Sequence, residues 1–164
     1  ILDKIMVDLT KYGREVVWIS VILLLAVLGK NDGRKAAVLL TIAFLVLIPL
    51  GTVLKSEIDR TRPSSENMLI ISDTSPSFPS GHATIVSAGS AILFLRFNKG
   101  KQIIFSIILG IEAVLVSYSR IYVGDHYPLD VVGGILLGTG IACAVIAFSK
   151  YLGPIFSYMD NVKR

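Results

Sequence analysis

Five stretches of the chain are dominated by apolar residues: Val16–Gly29, Ala36–Leu54, Ala83–Phe97, Ile103–Ser119 and Val131–Ser149. Hydrophobicity gathered into blocks points to membrane spans. A helix needs about 20 residues to cross the hydrocarbon core. The second and fifth blocks nearly reach that length unaided. The first and third reach it if their flanks, Tyr12–Glu15 and Pro79–His82, are helical too, and Arg14 and Arg96 would then snorkel to the interface. Ahead of the first block, Ile1, Ile5, Leu9 and Tyr12 recur at helical spacing, as do Leu2 and Met6, while Asp3, Lys4, Asp8 and Lys11 take other faces. That pattern predicts a short amphipathic helix lying in the interface. The alternative is a frayed tail. The expected fold is therefore all-α: a polytopic transmembrane helix bundle of about five spans plus an N-terminal interfacial helix, forming one membrane-embedded domain over residues 1–164.

Composition agrees with this pattern. The 164 residues are 53% hydrophobic, and the mean hydropathy of +0.71 is too high for an ordinary soluble domain. The net charge of +4 is spread along the chain, so it reads as topology and no nucleic-acid partner is expected. Cys143 is the only cysteine. It can form no internal disulfide and is read as a small packing residue. No secretory leader is evident, and the opening Ile1 leaves room for residues upstream.

Lysine and arginine set the orientation. Lys30, Arg34 and Lys35 follow the first block, Arg96, Lys99 and Lys101 follow the third, and Lys150, Lys163 and Arg164 follow the fifth. With five spans these groups share one side, expected to be the cytoplasm of a cell membrane. The other, extracytoplasmic side receives the N-terminal segment, the loop Lys55–Ser80 and the loop Arg120–Pro128.

That second side carries three polar clusters. "KSEIDRTRP" closes the second block with Lys55, Arg60 and Arg62, and Pro63 is expected to end the helix. Taken alone, it could be a basic collar for lipid headgroups. "SFPSGH" opens the third block. Pro79 and Ser80 suit a helix start, Gly81 allows close backbone approach, and the free N–H groups of a helix N-terminus attract anions. An ordinary serine cap beside an interfacial His82 would look the same. "SRIYVGDHYPLD" joins the last two blocks. His126 and Asp130 are four apart and on a helical turn would share a face, so the carboxylate could hold one ring N–H and leave the other nitrogen nucleophilic. Arg120 adds a fork suited to phosphate. An interfacial His–Asp pair without chemistry is the bland alternative. Together the clusters offer cations, a helix N-terminus and two histidines, with no acidic cage for a metal. That combination suits a phosphate, with one histidine as nucleophile and the other as proton donor.

Lys55 through Arg62-Pro63 resembles the K-x6-R-P motif of the type 2 phosphatidic acid phosphatase superfamily. Pro79-Ser80-Gly81-His82 resembles its PSGH motif, and Ser119-Arg120 with His126 and Asp130 resembles S-R-x5-H-x3-D. The motifs stand in family order and spacing, and the opening segment and "SRIYVGDHYPLDVVGG" look most like small polyprenyl pyrophosphate phosphatases. The resemblance implies a membrane lipid phosphatase needing no metal or other cofactor. It implies His126 as the nucleophile that becomes phosphohistidine, Asp130 as its orienting carboxylate, and His82 as the acid for the leaving oxygen. Lys55, Arg62, Ser80, Gly81 and Arg120 would bind the phosphate. The implied partners are membrane lipids and a lipid phosphate substrate: a polyprenyl pyrophosphate, or a lipid of the phosphatidate or phosphatidylglycerophosphate type. A phosphotransferase using the same site and a headgroup-binding or flipping protein are the alternatives. Many members of the superfamily have six spans, against five here plus an interfacial helix. Glu112, inside the fourth block, is expected either to support the basic cage or to bond between helices in protonated form. The lipid and the oligomeric state stay open at this point.

Overall fold

The computed structural model describes residues 1–64, 68–71 and 73–161. Among these, the fold consists of helices alone: α1 Leu2–Tyr12, α2 Glu15–Val27, α3 Asn31–Ile58, α4 Gly81–Arg96, α5 Gln102–Tyr122, α6 Pro128–Phe148, a 3₁₀ turn Ser149–Leu152, and α7 Gly153–Asn161. Three segments are long and apolar enough to cross a membrane by length and composition: α3, α5, and α6 continued through α7 to Asp160. The 13 residues of α2 and the 16 of α4 rise about 20 and 24 Å, less than the roughly 30 Å hydrocarbon core. The flanks expected to lengthen them do so only in part. Gly13 and Arg14 make a turn between α1 and α2, although both keep right-handed helical dihedrals. Ser80 is extended, so α4 begins at Gly81.

Two further boundaries differ from the sequence expectation. The loop expected around Lys30–Lys35 is already helical from Asn31. At the other end, α3 stops at Ile58, ahead of Pro63, because Asp59 takes a left-handed conformation and its N–H closes on the Lys55 carbonyl. A short polar residue adopts that conformation at less cost than most. Pro49 lies within α3 and cannot donate to the helix ladder.

Helices α3 to α6 run alternately up and down, and α4 is the hub, packed on α3, α5 and α6. The core includes Trp18, Leu39, Leu40, Leu47, Ile92, Leu93 and Val116. Outside it, Leu23, Leu45, Ile48, Ile108, Ile111, Val114 and Leu136 are exposed. An apolar belt of this extent suits hydrocarbon surroundings and not water. At the end away from the polar clusters, Arg96 lies 3.5 Å from Asp32 and Lys35 lies 2.8 Å from Asp160 of α7. Two of the cations that set the expected orientation are thus paired. Lys163 and Arg164 lie outside the described residues.

α1 lies against α5, as an interfacial helix could, and buries Met6 and Thr10 while Ile1, Leu2, Ile5 and Tyr12 face outward. Glu112 is half-buried where α1, α2 and α5 meet, its carboxylate oxygens covered, one of them 3.2 Å from where a Cβ on Gly13 would stand and the Trp18 indole beside it. That position is a helix seam, with Gly13 and Trp18 as neighbours and not the cage cations.

Closest approach occurs between α4 and α6. A Cβ on Gly134 would stand 2.6 Å from the Ser80 carbonyl oxygen, and one on Gly138 would stand 2.2 Å from that of Thr84. These glycines are four apart on one face, the small-residue spacing that lets membrane helices touch backbone to backbone. Gly138→Ala should therefore force α4 and α6 apart and destabilise the fold by roughly 1–3 kcal/mol. Gly140→Ala, where a Cβ meets nothing within 4 Å, should be silent. Thermal unfolding in detergent measures both; equal melting of the two variants would contradict this packing.

Candidate active site

The alternating helix directions bring the C-terminal ends of α3 and α5 beside the N-terminal ends of α4 and α6. All three polar clusters therefore meet at one end of the bundle. The extended Ser80 donates its N–H to the Asp130 carbonyl at 2.9 Å, which ties the start of α4 to the first turn of α6. The loop after α3 folds over the same end. Lys55 Nζ donates to the Pro76 carbonyl, and Ser77 N–H donates to the Arg60 carbonyl at 2.7 Å.

Asp130 is fully buried. Its Oδ1 accepts from Arg60 Nη1 at 2.8 Å, and its Oδ2 accepts from the Tyr127 N–H at 2.9 Å. The second bond belongs to the capping box of α6, so local helix chemistry aims this carboxylate. Arg60 is also held, its guanidinium 4.3 Å above the Tyr127 ring. His126 does not share a helical turn with Asp130 as the spacing suggested. It stands ahead of the N-cap Tyr127, in the turn after Gly124. Gly124 has φ +81°, open to glycine at little cost. The two side chains still meet, with His126 Nδ1 3.5 Å from Asp130 Oδ2. The other ring nitrogen, Nε2, lies 3.3 Å from Arg62 Nη1 and 3.5 Å from Asp125 Oδ2.

Asp125 is the second fully buried carboxylate, and Arg62 and Arg120 both donate to its Oδ2. Arg62 also donates to the Ser75 carbonyl at 2.7 Å, and Arg120 to Thr10 Oγ1 at 2.9 Å. The hydroxyls of Thr10 and Ser119 share a 2.8 Å hydrogen bond, so α1 closes one side of the site. Burial lowers the His126 imidazole to about 4, with Arg120 and Arg62 acting in the same direction and Asp125 against them. The ring is therefore neutral near pH 7 and keeps a lone pair.

Ser80 stands at the N-cap of α4, yet its side chain makes no capping bond. Its hydroxyl is buried without a hydrogen-bond partner among the described residues, which argues against the ordinary serine cap. Gly81 begins the helix, and Arg14 Nη1 lies 3.4 Å from where its Cβ would be. Arg14 therefore faces the site, where snorkelling to the interface had been expected. His82 is half-buried and its ring faces the Thr10 main-chain carbonyl. A cavity of about 380 Å³ joins His82, Arg120, Thr10, Lys11 and Arg14. A slot of about 170 Å³ runs from Lys55, Arg14 and Gly81 to Leu47, Ile48 and Ile85. A further cavity, about 580 Å³ between α4, α5 and α6, is lined by no ionisable group and lies apart from the histidines.

All eight residues singled out from the sequence, Lys55, Arg62, Ser80, Gly81, His82, Arg120, His126 and Asp130, thus gather at this end of the bundle. Four others belong with them. Arg60 and Asp125 stood inside the clusters without assigned roles, although charges at the end of a membrane bundle need partners. Thr10 and Arg14 gave no local signal, because only the tertiary fold brings α1 to the site.

Comparison with known proteins gives a consistent result. The family model of the PAP2 superfamily matches residues 34–154. An undecaprenyl-diphosphatase of Sulfolobus acidocaldarius is 45% identical over 94% of this chain and 73% of its own length. Phosphatidylglycerophosphatase B of Bacillus subtilis is 34% identical over 91% of this chain and 76% of its own. The crystal structure of a transmembrane PAP2-type phosphatidylglycerolphosphate phosphatase from Bacillus subtilis superposes with a TM-score of 0.75 at 28% identity. It covers 92% of this chain and 78% of that one. The apolar helices and these relatives make the protein an integral membrane protein. With its matched region spanning most of the bundle and all three polar clusters, the chain belongs to the PAP2 superfamily.

Proposed function

We propose that this metal-independent lipid phosphatase cleaves its substrate through a phosphohistidine on His126, and that the substrate is a polyprenyl diphosphate. The observation that carries the mechanism is the setting of His126: a neutral ring with Nδ1 toward the anchored Asp130 and Nε2 among the cage residues. Nε2 attacks the terminal phosphorus, and the bond from phosphorus to the leaving oxygen breaks. Burial, with Arg120 and Arg14 beside it, keeps the His82 ring neutral before substrate arrives. The ring takes a proton as the anionic substrate binds and gives it to the leaving oxygen, and Asp130 stabilises the charge gained by His126. Lys55, Arg62 and Arg120, with Ser80 and the Gly81 N–H, oppose the charge on the transferring group. Water then attacks the phosphohistidine, returns a proton to His82 and releases inorganic phosphate. Two relatives named as a diphosphatase and a phosphatidylglycerophosphatase support the substrate range; the higher identity of the first favours the diphosphate.

His82 separates the two kinds of substrate. A phosphatidate-type monoester expels an alkoxide, a strong base that needs the proton. A polyprenyl diphosphate expels a phosphate monoester, already a weak base. General-acid help is worth about 10²–10⁴-fold where it is needed. His82→Ala should therefore cripple monoester cleavage and spare much more of the diphosphate cleavage. Equal fractional losses on both lipids would reject His82 as the leaving-group acid and recast it as a phosphate binder.

We further propose that the site faces outward across the plasma membrane. Lys30 and Lys35, Arg96 to Lys101, and Lys150 lie at the opposite end of the bundle, and such basic segments stay in the cytoplasm. In a Cys143→Ser background, a cysteine at Ser64 or Thr74 should react with an impermeant thiol reagent added to intact cells. Labelling that requires lysis would reverse the orientation.

A further inference from the structure

On the lipid phosphatase reading above, the cage of Lys55, Arg62 and Arg120 takes the phosphoryl group that is transferred. Whatever lies on the His82 side is then the leaving group. An alcohol leaving group calls for neutral surroundings there. The cavity shared by His82 and Arg120 is instead lined by two further cations, Lys11 and Arg14, against one carboxylate, Glu15.

Arg14 is turned toward the site. Its bonds to Glu15 leave from Nε and Nη2, while Nη1 approaches Gly81. A guanidinium serving only lipid headgroups would point away from the backbone of the phosphate cradle. Arg14 also lines the neighbouring slot, where it stands with Lys55 above Leu47, Ile48, Gly51 and Ile85. It thus sits where an apolar route along α3 meets the polar end of the bundle. A lipid chain in that slot would bring its first phosphate to Arg14 and its terminal phosphate to the cage.

We propose that Arg14, with Lys11 at the rim, forms a second phosphate subsite that holds the leaving phosphate of a diphosphate lipid, and that this subsite selects diphosphates over monophosphates. Arg14 does not belong to the cage around Asp125; its partner is Glu15. The transferred phosphoryl group and the leaving phosphate are then held by different cations. Breaking the bond between them leaves charge on an oxygen that both Arg14 and His82 can reach.

The test compares farnesyl diphosphate with farnesyl monophosphate in detergent micelles, two lipids that differ by one phosphate. Arg14→Ala should lower the ratio of kcat/KM for the diphosphate over the monophosphate by about tenfold or more, the effect of losing a charge-assisted hydrogen bond. The loss should lie mainly in KM, and Arg14→Lys should restore part of it. A ratio unchanged from wild type would overturn the subsite while leaving the phosphatase reading intact. A wild-type protein that releases phosphate from neither lipid would overturn the phosphatase reading itself. Binding gives a readout free of turnover. Methylenediphosphonate should raise the melting temperature of the wild-type protein more than inorganic phosphate does, and Arg14→Ala should erase that difference. If the difference persists in Arg14→Ala, the second phosphate is held elsewhere.

Discussion

Two carboxylates, Asp125 and Asp130, are buried at the polar end of the bundle, and neither could remain charged there alone. A buried charge without a partner is costly, and removing one member of a buried pair costs more than the pair contributes. Arg62 and Arg120 answer Asp125, and Arg60 answers Asp130. These pairs fix much else. Through Arg62 they hold the Ser75 segment, through Arg120 they hold Thr10 of α1, and between them they flank both edges of the His126 ring at 3.5 Å. The guanidinium groups proposed to meet a phosphate are positioned by the protein's own anions, so on that reading little reorganisation remains for the reaction to drive.

The bundle supplies the frame for these pairs. Gly134 and Gly138 let α6 lie against α4, and the Ser80–Asp130 main-chain bond closes the same seam at its polar end. The proposed phosphate cradle at the start of α4 and the proposed nucleophile ahead of α6 are therefore held by one contact. A loosened α4–α6 seam would move the cradle relative to His126, so packing within the membrane and chemistry at its surface are linked.

Much of this was legible in the sequence. Apolar blocks marked the helices of the bundle, although only α3, α5 and α6 continued through α7 are long enough to cross, and the motif residues fell at helix ends that an alternating bundle must bring together. Helix boundaries were less legible. Pro63 is a strong local signal for termination, yet Asp59 ends α3 earlier through a left-handed cap that many sequences could have declined. His126 and Asp130 were read as neighbours on a helix; they meet across a cap because Asp130 turns back to the Tyr127 N–H. Arg60 and Asp125 could be seen as charges needing partners, but which partner each takes depends on the loop after α3. Thr10 and Arg14 were beyond reach, since no periodicity shows an amphipathic helix meeting an arginine more than a hundred residues away.

The central claim is that His126 carries the phosphoryl group between the two halves of the reaction. Rapid quenching of the purified protein with a polyprenyl diphosphate labelled on its terminal phosphorus tests it directly. The account predicts a protein-bound label that survives alkali, is lost in acid, maps to the peptide containing His126, and is absent from His126→Ala. Label retained in His126→Ala, or turnover in that variant at a tenth or more of the wild-type rate, would contradict it.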